Sequence, residues 1–241
     1  MFSLDTLLGS LVFQPTVLNG PLRRFPDDAE SSDEVYWPMW HALTLPCLRI
    51  QPKGAAHRAL LLLHGNADTL SGCRPLAHIL AEMLEADVYV LEYPGYWLTA
   101  TGVKATPSAE GVYDAALRAS RFLLQKCGQP LCVMGYSLGC SPAARVLREL
   151  DTKVELGVLV APMRSLVELA ADLDPRAAAM KWLIGRMDTF QTEKDASHIS
   201  ARMMVVHGAS DEIIPVEHGR RCGPAAPRAL PTPRHRLVGR H

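Results

Sequence analysis

The 241-residue chain lacks several features that would assign it quickly. It has no excess of either charge: 25 basic residues face 25 acidic ones, so no global field favours nucleic acid or an anionic surface. It has no long hydrophobic run. The longest in the interior, Ala59 to Leu63, is far too short to span a bilayer. No C-x-x-C pair occurs among Cys47, Cys73, Cys127, Cys132, Cys140 and Cys222, which argues against zinc and against a disulfide framework. Cysteines set in apolar strand and helix patterns point to buried free thiols and a reducing, cytoplasmic setting. No strand is followed by G-x-G-x-x-G, which disfavours a dinucleotide site. There are no internal repeats, and neither a metal nor an organic cofactor is expected.

The N-terminus lacks the basic n-region and cleavage site of a secretory signal, and Phe2 excludes N-myristoylation. Leu4, Leu7, Leu8, Leu11 and Val12 share one helical face. Two readings stay open: a helix packed on its own domain, or an amphipathic helix making peripheral membrane contact through residues 1–14. Residues 1–40 are taken as this segment plus an acidic, solvated loop, and residues 41–241 as a single domain.

What is present is an alternation of strand and helix signals. Strands are expected at 42–50, 58–64, 87–92, 130–134, 154–160, 202–207 and 236–238. Helices are expected at 75–84, 108–126, 140–150 and 216–222, and a mostly helical insertion near 163–195. Alternating elements of these lengths imply right-handed βαβ units and a doubly wound, mostly parallel α/β sheet with helices on both faces.

The chain is organised around Gly135-Tyr136-Ser137-Leu138-Gly139, lying between a strand signal and a helical pattern. In that context G-x-S-x-G reads as a nucleophile elbow, a tight turn that presents a reactive hydroxyl. A serine needs a base, and the base needs an orienting acid, in the chain order Ser, acid, His. Asp211 stands just past the strand at 202–207, where a carboxylate reaches the carboxyl edge of the sheet. Glu212, Asp172 and Asp174 compete with it, and a role for Asp211 limited to capping the next turn also stays open. His64 and His207 precede that point and read as structural, and His218 as an exposed residue on a short helix. His241, thirty residues beyond Asp211, is favoured as base over His235. The oxyanion of acyl transfer calls for two backbone N–H donors. Leu138 supplies one, and the loop His64-Gly65-Asn66-Ala67 the other, from Asn66 before Ala67.

Taken together, His64-Gly65-Asn66, Tyr93-Pro94-Gly95-Tyr96, the elbow and His207-Gly208-Ala209-Ser210-Asp211-Glu212 resemble the α/β-hydrolase superfamily. More narrowly they resemble the α/β-hydrolase domain-containing protein 17 group, which includes protein depalmitoylases. The resemblance implies an eight-stranded α/β-hydrolase sheet, Ser137 as nucleophile, Asp211 as acid and the histidine after the last strand, His241, as base. It also implies an acylated small molecule, a lipid or an S-acylated protein as substrate. The sequence departs from the group in three places. Trp97 follows Tyr96 where the group has Gly, the N-terminal cysteine cluster is absent, and the closing helix expected after the final histidine is missing. The expectation is therefore a serine esterase or thioesterase; monoacylglycerol or lysophospholipid hydrolysis is the alternative substrate class. A catalytically impaired binding protein of the same fold is the rival from outside enzymology.

Overall fold

The computed structural model describes residues 33–36, 39–40, 43–44, 47–96, 107–176, 178–179 and 188–223. The N-terminal segment 1–14, Trp97, and the expected final strand with His235 and His241 lie outside the described residues. Strands β1 (Asp33–Tyr36), β4 (Cys47–Ile50), β5 (Arg58–Leu63), β6 (Ala86–Leu91), β7 (Leu131–Tyr136), β8 (Val154–Val160) and β9 (Met203–Val206) form one sheet. The two short strands β2 (Met39–Trp40) and β3 (Leu43–Thr44) pair with each other apart from it. The order in the sheet is β1-β4-β6-β5-β7-β8-β9. β1 and β4 join antiparallel, and all pairings from β6 through β9 are parallel. The described sheet therefore has seven strands, mostly parallel, as the α/β reading expects.

Two boundaries differ from the expectation. Residues 33–36, read as loop because of their acidic run, form an edge strand whose backbone pairs with β4; the domain thus begins before residue 41. The strand expected at 42–50 is divided, with 43–44 in the separate ladder and 47–50 in the main sheet.

The helices are α1 (Leu70–Leu84), α2 (Ala109–Lys126), α3 (Cys140–Leu150), α4 (Leu166–Leu173), α5 (Thr192–Ala196) and α6 (Val216–Cys222). α1 starts five residues before its expected position. The Thr69 hydroxyl accepts from the Gly72 N–H at 3.1 Å, an N-cap that outweighs Pro75 within the helix. Ser108 caps α2 in the same way, accepting from Gly111 N–H at 3.1 Å.

β5 shows why this strand is continuously apolar: both of its faces are covered. Leu60 and Leu62 pack with Leu70, Cys73, Ala77 and Ala81 of α1. Leu61 and Leu63 pack on the other face with Val112 and Ala116 of α2 and Leu147 of α3. Each such leucine, fully removed from water, contributes roughly 1.5–3 kcal/mol. α3 comes close to the sheet because β8 offers Gly157, where a Cβ would stand 2.7 Å from Leu147 Cδ2.

The chain leaves β5 toward β6 on one side and later returns to place β7 on the other. The order reverses between β5 and β7, so their carboxyl ends flank a crevice of the kind that holds ligands in open α/β sheets. Leu63 ends one wall opposite Gly135 of the other.

Candidate active site

Ser137 sits at the carboxyl end of β7 with φ 51°, a left-handed conformation that a side chain adopts only at a cost. The turn tolerates nothing larger than glycine on either side. A Cβ at Gly135 would stand 2.7 Å from Cys140 Cα, and one at Gly139 would stand 2.6 Å from the His64 carbonyl oxygen and close to that of Leu63. The second contact also means that the elbow rests directly on the start of the loop after β5. Behind it, the Cys140 thiol is buried and donates to the carbonyls of Gly135 and Val160, each at 3.2 Å. Burial pushes that thiol well above its usual range, so it is a packing group rather than a second nucleophile.

The loop after β5 carries Asn66, the residue from which the second oxyanion N–H is expected. His64 is buried and both ring nitrogens are engaged: Nδ1–H donates to Gly65 O at 2.8 Å, and Nε2 lies 3.0 Å from Glu92 Oε1. The Asp68 N–H also reaches Gly65 O at 3.4 Å. From the loop after β6, the Tyr93 hydroxyl donates to His64 O at 2.9 Å and the Tyr96 hydroxyl to Asn66 Oδ1 at 2.6 Å. The edge of the Tyr136 ring lies over Gly65, 3.1 Å from where a Cβ would stand. Asn66, Ser137 and Leu138 are thus brought to one end of the crevice. The sequence reading missed Glu92 and the tyrosines that support this loop. A carboxylate ending the apolar run Val88 to Leu91, just before Tyr-Pro-Gly, was the available signal.

Asp211 stands past the end of β9, as expected. Its Oδ1 accepts from the N–H groups of Ile213 at 2.9 Å and Ile214 at 2.8 Å. These bonds, the Ile214 one foremost, with the nearby His207 ring, hold its carboxyl below the usual range. Among the described residues Oδ2 has one long contact, 3.6 Å to His207 Nε2. Asp211 therefore caps its own turn with one oxygen and offers the other. The competing acids are differently placed: Asp172 pairs with His218 at 2.9 Å, and Asp174 caps Arg176 N–H at 2.8 Å. Glu212 is exposed beside Asp211.

The histidines sort themselves by their partners. His207 Nε2–H donates to Ile214 O at 2.7 Å, while Nδ1 is buried against Gly219 without a partner among the described residues. His218, expected to be exposed, is instead fully buried on the inner face of α6 beside Gly219 and Cys222. Its Nδ1 accepts from Arg164 N–H at 3.0 Å and its Nε2–H donates to Asp172, so the ring joins α6 to the insertion. Burial first of all, with Arg164 adding to it against the pull of Asp172, lowers its pKa. His64 and His218 thus have both ring nitrogens engaged, and the unpartnered Nδ1 of His207 is enclosed against Gly219. His57 and His198 precede β5 and β9, at the opposite edge of the sheet, and His78 lies midway along α1.

Within the expected insertion, Met163 is in the core and Leu166 and Leu169 pack against it. Met180, Trp182, Leu183 and Met187 lie outside the described residues. Asp195, almost fully buried, accepts from Arg145 at 2.8 Å and Arg148 at 2.5 Å and ties α5 to α3. All six cysteines are free. Among the described residues, no three metal-ligating side chains are placed to hold an ion, and no helix is long and apolar enough to cross a membrane.

A parallel sheet with an order reversal, a serine in a strained strand-to-helix turn and a glycine loop beside it define the architecture of the nucleophile-elbow proteins. The chain belongs to the Alpha/beta hydrolase family, whose match spans residues 60–238. It is similar to the lysophosphatidylserine lipase ABHD12 of Danio rerio, 27% identical over 183 residues, covering 69% of this chain and 47% of that protein. It is also similar to the alpha/beta hydrolase domain-containing protein aho-3 of Caenorhabditis elegans, 27% identical over 178 residues, covering 72% and 49% respectively. The chain spans about half the length of the curated relatives it matches. Among solved structures, it shares the fold of a soluble variant of monoglyceride lipase from Saccharomyces cerevisiae. That likeness has a TM-score of 0.61 at 14% identity and covers 84% of this chain and 87% of that one. Two of these three proteins, the ABHD12 and the monoglyceride lipase, are lipases by name, and none of the three is named as a depalmitoylase.

Proposed function

We propose that the chain is a serine hydrolase that cleaves carboxylic esters of single-chain lipids, of the lysophospholipid or monoacylglycerol kind, through an acyl-enzyme on Ser137. The observation that carries this reading is Ser137 itself, held at φ 51° between two obligatory glycines at the carboxyl end of an interior strand. The names of the relatives supply the substrate class.

In the proposed reaction the Ser137 hydroxyl attacks the acyl carbonyl and loses its proton to a histidine. Because the buried described histidines have both nitrogens engaged or enclosed, that base is assigned to His241, with His235 as the alternative. Asp211 Oδ2 holds the imidazole in the useful tautomer. The N–H groups of Asn66 and Leu138 receive the developing oxyanion. Collapse of the tetrahedral species expels the glycerol oxygen, which takes the proton from the imidazolium. Water then enters by the same route in reverse and frees the fatty acid and Ser137. A thioester would follow the same steps with a thiolate leaving, which is how protein depalmitoylation fits the same machinery.

A fluorophosphonate probe on the full chain, followed by turnover of a lysophosphatidylserine, a monoacylglycerol and an S-palmitoyl peptide, tests the proposal. Labelling of the wild type and its loss in Ser137→Ala are expected, with turnover falling by roughly 10⁴–10⁶-fold and the two oxygen esters preferred over the thioester. A wild-type chain that takes no label and turns over no ester overturns the reading and leaves a binding protein of the same fold. Preference for the S-palmitoyl peptide would overturn the substrate class alone.

A further inference from the structure

We infer that the buried His64–Glu92 pair is a positioning device for the oxyanion hole, fixing the Gly65–Asn66 peptide so that the Asn66 N–H faces the substrate. The inference rests on the reading above that Asn66 is one of the two donors.

The argument begins with the peptide plane. The Gly65 carbonyl and the Asn66 N–H belong to one planar trans amide and point in opposite directions. A clamp on the carbonyl therefore aims the N–H. That clamp is His64 Nδ1–H, which donates to Gly65 O at 2.8 Å. The ring is held in place, because its other nitrogen lies 3.0 Å from Glu92 Oε1 and it packs against Tyr93, tilted at a centroid distance of 4.2 Å, and Tyr96, edge-on at 5.7 Å. Glu92 is held in turn: its Oε1 also accepts from the Tyr93 N–H at 3.2 Å. The Tyr93 hydroxyl then closes the loop on His64 O, so two successive carbonyls at the start of the oxyanion segment are gripped. The chain of contacts runs from the end of β6 to the donor.

Both side chains are fully buried. A buried ionisable pair adds little net stability over apolar residues of the same volume, because its attraction is offset by the cost of removing both groups from water. Glu92 Oε2 illustrates that cost, being buried with no partner among the described residues. The pair is therefore poorly explained as a stabiliser of the fold and well explained as a fixed orientation for one peptide.

The test compares His64→Leu, His64→Asn and Glu92→Leu with the wild type on the best ester of the panel. Losing an oxyanion donor outright costs about 10²–10³ in rate, and a donor freed to swing costs somewhat less. The expected result is a kcat lower by about 10–100-fold in His64→Leu and Glu92→Leu, with KM within about threefold. The His64→Asn amide can restore an N–H to Gly65 O, and it should regain roughly tenfold of the loss. Hydrogen exchange gives an independent readout: the Asn66 amide should exchange at least about tenfold faster in His64→Leu but not in His64→Asn. The inference is overturned by a His64→Leu kcat within twofold of wild type, or by His64→Asn being as impaired as His64→Leu. Failure of the hydrolase reading looks different. It appears as a wild type without Ser137-dependent turnover, and the exchange comparison then decides this inference alone.

Discussion

The two ends of the proposed catalytic row are built differently. The nucleophile end stands on β5 and β7, interior strands covered on both faces, and its glycines touch backbone atoms with no room to spare. The acid end stands on β9, the last strand of the described sheet, where Met204 and Val206 are 44% and 45% exposed and Ile213 beyond them 74%. One end is held by steric necessity among main-chain atoms; the other by a few hydrogen bonds around Asp211 and His218. The difference teaches that Ser137 is set by the core itself, while Asp211 is set by a surface turn.

The comparison is broken most sharply by glycine substitutions. Gly139→Ala places a Cβ against the carbonyls of Leu63 and His64, which cannot give way, and overpacking of this kind costs about 3 kcal/mol or more. Urea unfolding should show that loss, together with disappearance of probe labelling. Gly208→Ala, in the acid loop, meets nothing closer than Asp211 Cβ at 3.8 Å and should stay within about 0.5 kcal/mol of wild type. Equal effects from the two would erase the distinction.

A smaller effect is expected at the tie between α3 and α5. Asp195→Ala removes the shared partner of Arg145 and Arg148, which are both partly solvated and of which Arg148 keeps Glu149, and should cost about 2–3 kcal/mol in denaturant unfolding. Because α3 follows the elbow directly, labelling of Ser137 should slow while the unfolding transition stays cooperative.

The smallest effect concerns pH. The groups facing His218 are Asp172 and Glu168 from α4 and Arg164 from the preceding loop, and the neutral ring is the form that accepts from the Arg164 N–H. With its folded pKa below the unfolded value of about 6.5, its contribution to stability is complete above that pH. It is lost progressively as pH falls from there toward the folded pKa. The carboxyl of Asp211, also lowered, gives up its share only below about pH 4. Protection factors at β9 and α6, referred to the intrinsic exchange rate at each pH, should therefore fall between pH 7 and 5 while those of β5 and β7 hold. His218→Gln should flatten that dependence.

Much of this was legible in the chain, and the reasons are physical. The elbow, β5 and the position of Asp211 were readable because glycine, continuous apolar runs and acidic loop ends each have one dominant cause. His218 was misread because α6 has only seven residues, too few for a helical period to show which face is apolar. β1 was missed because an edge strand is held by backbone pairing with β4, which its acidic side-chain composition does not reveal. Glu92 went unnoticed because its partner, His64, is 28 residues away in the chain and meets it only after β5 and β6 pair.

The contact of Gly139 with the carbonyls of Leu63 and His64 has a further consequence. It sets the gap between the nucleophile turn and the oxyanion loop by the van der Waals radii of main-chain atoms, a gauge that no side chain can reset. Substituting the exposed Tyr136, whose ring edge lies over Gly65, would change the surface beside the turn while leaving that gauge untouched. The spacing of the two loops and the character of the surface around them are in this sense separable variables, written on different atoms.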